Sequence, residues 1–116
     1  MGFLATKSLK LRGNSTGRIS NIGLNESAYF KQLEVNTGWD GIYYGKSDKQ
    51  YFINNLGYLP DYYEPNLNIV VEYDEPRHYR FNKLIEKDII RMNRIKEHLK
   101  CRFLRYNEYT KELKEY

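Results

Sequence analysis

The sequence predicts an α/β fold, a mixed central β-sheet flanked by α-helices. Three observations point there. Two stretches, Asn25 to Val35 and Asn82 to Lys100, repeat apolar residues at helical spacing. Between them, short apolar runs alternate at strand spacing and are broken by Gly, Asn and Pro. A further strand-like run, Cys101 to Tyr106, follows the second helical stretch. Helices and strands interleaved in this way build layers of helix on sheet.

Residues 1–20 are polar and basic, with Gly13, Asn14, Ser15 and Gly17 close together. They read as a linker or flexible arm. Asn25 is a suitable N-cap for the first helix. In that helix Glu26, Tyr29, Phe30 and Leu33 share one face. Glu26 therefore sits at the start of an apolar face, where it also suits the helix dipole.

The stretch Thr37-Gly-Trp-Asp-Gly41 is a turn. Ile42 to Gly45, Gln50 to Asn54 and Gly57 to Tyr63 read as strands of an antiparallel meander. Glu64-Pro-Asn turns the chain into a strand from Leu67 to Asp74, which Glu75-Pro76 ends, because proline has no N–H for a sheet ladder. Alternation puts Ile69, Val71 and Tyr73 on one face and Val70, Glu72 and Asp74 on the other. Residues 78–82 read as a loop. In the second helix Leu84, Ile85, Ile89, Met92, Ile95 and Leu99 form an apolar arc, and Asp88 falls inside it. Glu108 to Tyr116 reads as a short amphipathic helix.

A chain of 116 residues is one domain with a modest core. Its single cysteine, Cys101, excludes an internal disulfide and a cysteine-rich zinc site. No apolar run reaches membrane-spanning length, and a soluble, cytoplasmic protein is expected. Charge is unevenly spread. Residues 26–75 hold nine acids against three bases, and residues 76–103 hold nine bases against three acids. An acidic patch beside basic segments suits a metal site in a polyanion-binding surface, but charge alone favours a solvated surface of mixed charge.

Acids stand where folding alone does not ask for them. Glu72 and Asp74 extend the apolar run Ile69-Val-Val, and a buried carboxylate is costly unless paired or bound to metal. Asp61 lies on the preceding strand, His78 just beyond the strand end, Glu26 and Asp88 on apolar helix faces. Asp61 and Glu72 are the first candidate metal ligands, with Asp74 as a third. Hard oxygen ligands suit Mg²⁺ or Mn²⁺ rather than zinc. A neighbouring His78 can take a proton from water. With cationic groups to hold phosphates, these are the parts of phosphodiester hydrolysis. Lys10, Arg12, Arg18, Arg77, Arg80, Lys83, Lys87 and Arg91 are the candidate DNA contacts. Each residue also has an ordinary reading: Asp61 in a turn, Asp74 closing a strand, His78 on the surface, Asp88 paired with Lys87 or Arg91.

Leu59-Pro-Asp61, Asn68-Ile-Val-Val-Glu72-Tyr-Asp74, His78-Tyr, Lys87-Asp88-Ile-Ile-Arg91 and Cys101-Arg-Phe-Leu-Arg-Tyr-Asn together resemble the Vsr-like branch of the PD-(D/E)xK nucleases. That branch includes very-short-patch mismatch repair endonucleases and catalytic domains of phage and intron-borne homing endonucleases. The resemblance covers about residues 25–106. It implies a restriction-endonuclease-like core and an active-site pattern, EDxHD, falling on Glu26, Asp61, Glu72, His78 and Asp88. Two departures matter. Asp74 stands where the wider superfamily has lysine, as expected in this branch, where histidine takes part of that role. The cysteines of the mismatch enzymes' zinc site are missing, which favours the homing type.

The resemblance implies a Mg²⁺-dependent endonuclease acting on double-stranded DNA, with residues 21–116 as the catalytic domain. Homing relatives usually carry a separate DNA-binding region ahead of the nuclease, and residues 1–20 resemble the end of such a linker. A homodimer would place two sites for two strands. The rival readings are a mismatch-type or structure-specific nicking nuclease, and a non-catalytic DNA-binding module with a decayed site.

Overall fold

A computed structural model describes residues 17–47, 49–76, 79–80 and 83–116, with the backbone alone for 17–24 and 79–80. Among the described residues nine elements follow in order: α1 (Gly17–Thr37), α2 (Tyr44–Ser47), β1 (Tyr62–Glu64), β2 (Ile69–Asp74), β3 (Tyr79–Arg80), β4 (Lys83–Leu84), α3 (Glu86–Leu99), β5 (Arg102–Asn107) and β6 (Glu112–Glu115). The main sheet has the order β1-β2-β5-β6, and β3 and β4 form a separate two-stranded ribbon. β2 and β5 run parallel, joined through α3, while β1 and β6 flank them antiparallel. The expected mixed sheet with helices is therefore present.

β2 is buried along its whole length. A strand with a neighbour on each side and a layer on each face has nowhere to expose a side chain, which explains the continuous run Ile69-Val70-Val71. The expected alternation holds. Ile69, Val71 and Tyr73 pack with Phe30, Leu33, Tyr43 and Tyr62 under α1. Val70 packs with Ile53, Tyr63, Phe103, Met92 and Ile95 under α3. The two helices thus cover opposite faces of one sheet. Burying each of these large apolar side chains contributes roughly 1.5–3 kcal/mol.

The ends of the elements are set by local chemistry. α1 stops where Gly38 takes a left-handed φ of +79° and donates to Glu34 O at 2.8 Å. α3 stops at Lys100, also left-handed, whose N–H reaches Lys96 O. Asn68, left-handed in the β1–β2 turn, donates its Nδ2 to Leu99 O at 2.9 Å and accepts from the Tyr63 hydroxyl at 2.8 Å. That amide satisfies a carbonyl which the last turn of a helix leaves open.

The structure corrects several expectations. α1 begins at Gly17 rather than Asn25, so residues 17–20 of the expected arm are helical; residues 1–16 lie outside the described residues. The first two strands of the meander shrink to isolated bridges, Ile42 to Tyr63 and Ile53 to Tyr58. Tyr44 to Ser47 coils instead, because Lys46 turns back to bind Glu34, Asp40 and the Gly41 carbonyl. The second helix starts at Glu86, and Ile89, expected on its apolar arc, is exposed. Met92 and Ile95 of the expected arc are buried, with Asp88 among them as expected. Within the expected loop, Tyr79–Arg80 pairs with Lys83–Leu84.

The final amphipathic helix is absent. Asn107 Oδ1 accepts from the N–H groups of Tyr109 and Thr110, and Lys111, left-handed, donates to Asn107 O at 2.7 Å. This Asx-type turn sends the chain back along the open edge of β5. Among the described residues no helix is long and apolar enough to cross a membrane.

Candidate active site

Pairing of β1 with β2 matches Tyr62 to Val71, which sets Asp61 beside Glu72. The two residues are bound reciprocally. The Asp61 N–H donates to Glu72 Oε2, and the Tyr73 N–H donates to Asp61 Oδ2, each at 2.9 Å. Each carboxylate thus takes a backbone donor that the short strand β1 leaves unused at its end. Both side chains are buried.

Two arginines meet these acids. Arg91, on α3, donates from Nη1 to Glu72 Oε1 and from Nη2 to Leu59 O, the latter at 3.0 Å. Its guanidinium also lies over the Tyr58 ring, 5.2 Å from the centroid. Arg105 faces Glu72 in the parallel register of β2 and β5, and grips both oxygens of Asp74 at 2.6 and 2.7 Å. That pair is buried on both sides. Burial pushes the Glu72 carboxyl up. Arg91, Arg105 and the Asp61 N–H outweigh burial and hold it below the ordinary glutamate value. Glu72 is therefore a carboxylate at neutral pH.

Asp88 approaches the same face of the sheet from α3. It is buried one helical turn before Arg91 and Met92. Glu26 comes from the other face. It is half-buried near the middle of α1, and its charge raises the pKa of the Tyr73 phenol, after burial and the hydrogen bond that Tyr73 makes to Glu108 at 2.8 Å. The sequence-derived set thus divides. Asp61 and Glu72 touch, Asp74 lies two residues along on the same face, Asp88 shares that face, and Glu26 reaches the sheet from behind it.

His78 and Arg77 lie outside the described residues, as do Lys10 and Arg12. Arg18 is in the first turn of α1 and Arg80 in β3, of which only the backbone is described. Lys83 and Lys87 are exposed. Arg91 is placed against Glu72 instead of on the outer surface. Arg105 was not among the expected residues. Its signal was present in Cys101-Arg-Phe-Leu-Arg, because strand alternation puts Arg105 on the same face as the core residue Phe103.

The donor chemistry fits a hard divalent cation in part. Asp61 and Glu72 are adjacent oxygen donors, and the three strand acids carry one more charge than Arg91 and Arg105 balance. Both oxygens of Glu72 already accept hydrogen bonds, from Arg91 and the Asp61 N–H, and both of Asp74 accept from Arg105, so each offers a cation only its remaining lone pairs. Among the described residues no three of His, Cys, Asp and Glu are grouped to hold a metal ion. Comparison of the chain with protein-family models, curated proteins and solved structures finds no match.

Proposed function

We propose that this chain is a metal-dependent DNA endonuclease, the catalytic domain of a homing-type enzyme of the Vsr-like branch. The observation that carries the reading is the reciprocal bonding of buried Asp61 and Glu72, with Glu72 held as a carboxylate. Folding gains little from carboxylates at such a position, because apolar residues of similar size are often as stable as a buried ion pair. Asp88 on the same face and the quoted motifs add to it.

Asp61 and Glu72 would hold Mg²⁺, or Mn²⁺ in its place. The cation would supply charge to the phosphate and acidity to a water. The chain's own residues do the rest. Arg91 ties α3 to β2 and to the Leu59 carbonyl, so it fixes the segment that carries Asp61. It acts as a positioning residue. His78 would accept the proton of the attacking water, and Asp88 would orient the imidazole. Exposed Lys83 and Lys87 would meet phosphates of the DNA.

Supercoiled plasmid incubated with Mg²⁺ tests this. The parent should nick or linearise it, and Asp61→Ala and His78→Ala should not. Cleavage by both variants at the parent's rate sinks the proposal.

A second reading has its own support. Arg91 and Arg105 already neutralise Glu72 and Asp74 within the fold, as they would in a non-catalytic DNA-binding module. Calorimetric titration with Mg²⁺ separates the two. A nuclease binds the ion and loses it in Asp61→Ala, whereas the module gives no heat in either protein.

A further inference from the structure

A groove of about 910 Å³ opens between the β4–α3 corner and the β5–β6 hairpin. Its size falls in the range of pockets that take organic groups, roughly 300–1,000 Å³. Arg105, which holds Asp74, also lines it, so the groove adjoins the acid cluster. Leu84 and Met92 are apolar residues of its lining, and Tyr109 and Tyr116 line it from the β5–β6 hairpin.

Those tyrosines are unlike most others in the chain. Tyr43, Tyr62, Tyr63 and Tyr73 are core residues. Tyr109 and Tyr116 are 77% and 42% exposed, yet their backbones are pinned, Tyr109 N–H to Asn107 Oδ1 and Tyr116 N–H to Phe103 O, both at 2.8 Å. Exposed aromatic rings on a fixed hairpin offer flat faces at little cost in order. Lys83 and Lys114 line the same groove, with Glu112 the one acid in its lining among the described residues. Aromatic faces beside cations are the recognition chemistry of unpaired nucleotides, whose bases stack while their phosphates meet lysine. A duplex hides its base faces within its own stack, so these rings have nothing to offer it.

We propose that this groove binds an unpaired stretch of DNA next to the acid cluster, with bases against Tyr109 and Tyr116 and phosphates against Lys83 and Lys114. Resting on the nuclease reading, it makes the substrate DNA that is locally single-stranded.

The test is fluorescence anisotropy of a labelled oligothymidine with the full chain in EDTA, where no cleavage intervenes, against a duplex of equal length. The parent should bind the single strand more tightly than the duplex. Tyr109→Ala and Tyr116→Ala should each weaken it by about tenfold, and Tyr109→Phe should bind as the parent does, so loss of folding is told apart from loss of stacking. Tyr44→Ala, at an exposed tyrosine outside the groove, should change nothing. Lys83→Ala and Lys114→Ala should each lower the salt slope by about 0.7. Parent-like binding by both alanine variants, or preference for duplex, overturns the proposal. Failure of the nuclease reading looks different: plasmid stays uncut while tyrosine-dependent binding persists, and Asp61→Ala binds the oligonucleotide normally.

Discussion

Arg91 on α3 reaches the Glu72 carboxylate on β2 and, with its second nitrogen, the carbonyl of Leu59. One side chain therefore joins a helix, the central strand and the segment leading into Asp61. Arg91→Ala leaves Glu72 charged and buried with its main cation gone. Breaking a buried pair from one side costs about 3–5 kcal/mol, because the remaining ion is not rehydrated. Urea unfolding should show a loss of that order. Glu72→Gln in the Arg91→Ala background should recover part of it, since the amide carries no charge to strand. A loss within the scatter of surface substitutions would show that water solvates Glu72.

Gly41 has no room for a side chain. A β-carbon there would run into the Tyr62 ring, and its N–H donates to Glu34 Oε2 at 2.5 Å. The same carboxylate accepts the Tyr62 hydroxyl at 2.8 Å and Lys46 Nζ at 3.0 Å through its other oxygen. Gly41→Ala must push aside a ring that stacks on Phe30, 5.1 Å between centroids. Overpacking of this kind costs about 1–3 kcal/mol. Thermal unfolding should show it, and Gly38→Ala should be destabilising by a different route, backbone strain at positive φ with space around the added methyl.

How far these features were legible follows from which forces set them. The face of each β2 residue could be read, because alternation is dictated by backbone geometry and Val70 and Val71 each needed a core. The neighbours Asp61 and Glu72 were readable from the hairpin. Ile42 to Asn54 misled because its apolar and aromatic residues satisfy strand propensity, while the actual path is set by the long-range bond of Lys46 to Glu34, twelve residues away. The C-terminal stretch misled for a related reason. Tyr109, Leu113 and Tyr116 suit a helical face, but Asn107 and the open edge of β5 decide the outcome. That Glu26 and Asp88 come from opposite faces was beyond reach, since helical periodicity says which side is apolar and not which side of the sheet it covers.

Glu72 also sets a pH response. Its folded pKa is depressed by Arg91 and Arg105 against the pull of burial. A carboxyl of this kind contributes stability that is present above its unfolded pKa, about 4.3, and is lost as pH falls through the lower folded value. Stability measured by urea at a series of pH values should therefore fall on acidification below about pH 4.3. In Glu72→Gln that part of the slope should vanish. An unchanged slope would place the acid sensitivity in other carboxyls.

Asp61 allows charge to be separated from fold. Its Oδ2 serves the fold by accepting the Tyr73 N–H, a job that the amide oxygen of asparagine can do equally well. Its charge serves Arg91, which Asp61 supports electrostatically after Glu72. Asp61→Asn should keep the hydrogen bond and cost no more than about 0.5–1.5 kcal/mol, because Glu72 still pairs with Arg91. For a metal site the consequence is different, since a neutral amide is a much weaker ligand for a hard cation than a carboxylate. Mg²⁺ that binds the folded parent raises its melting temperature by mass action, the stabilisation reaching about 2.7 kcal/mol at a hundredfold excess over the dissociation constant. Asp61→Asn should melt close to the parent without Mg²⁺ and show no rise with it. If parent and variant rise together, the ion binds elsewhere on the chain; if the variant melts far below the parent without Mg²⁺, the Asp61 charge is chiefly structural.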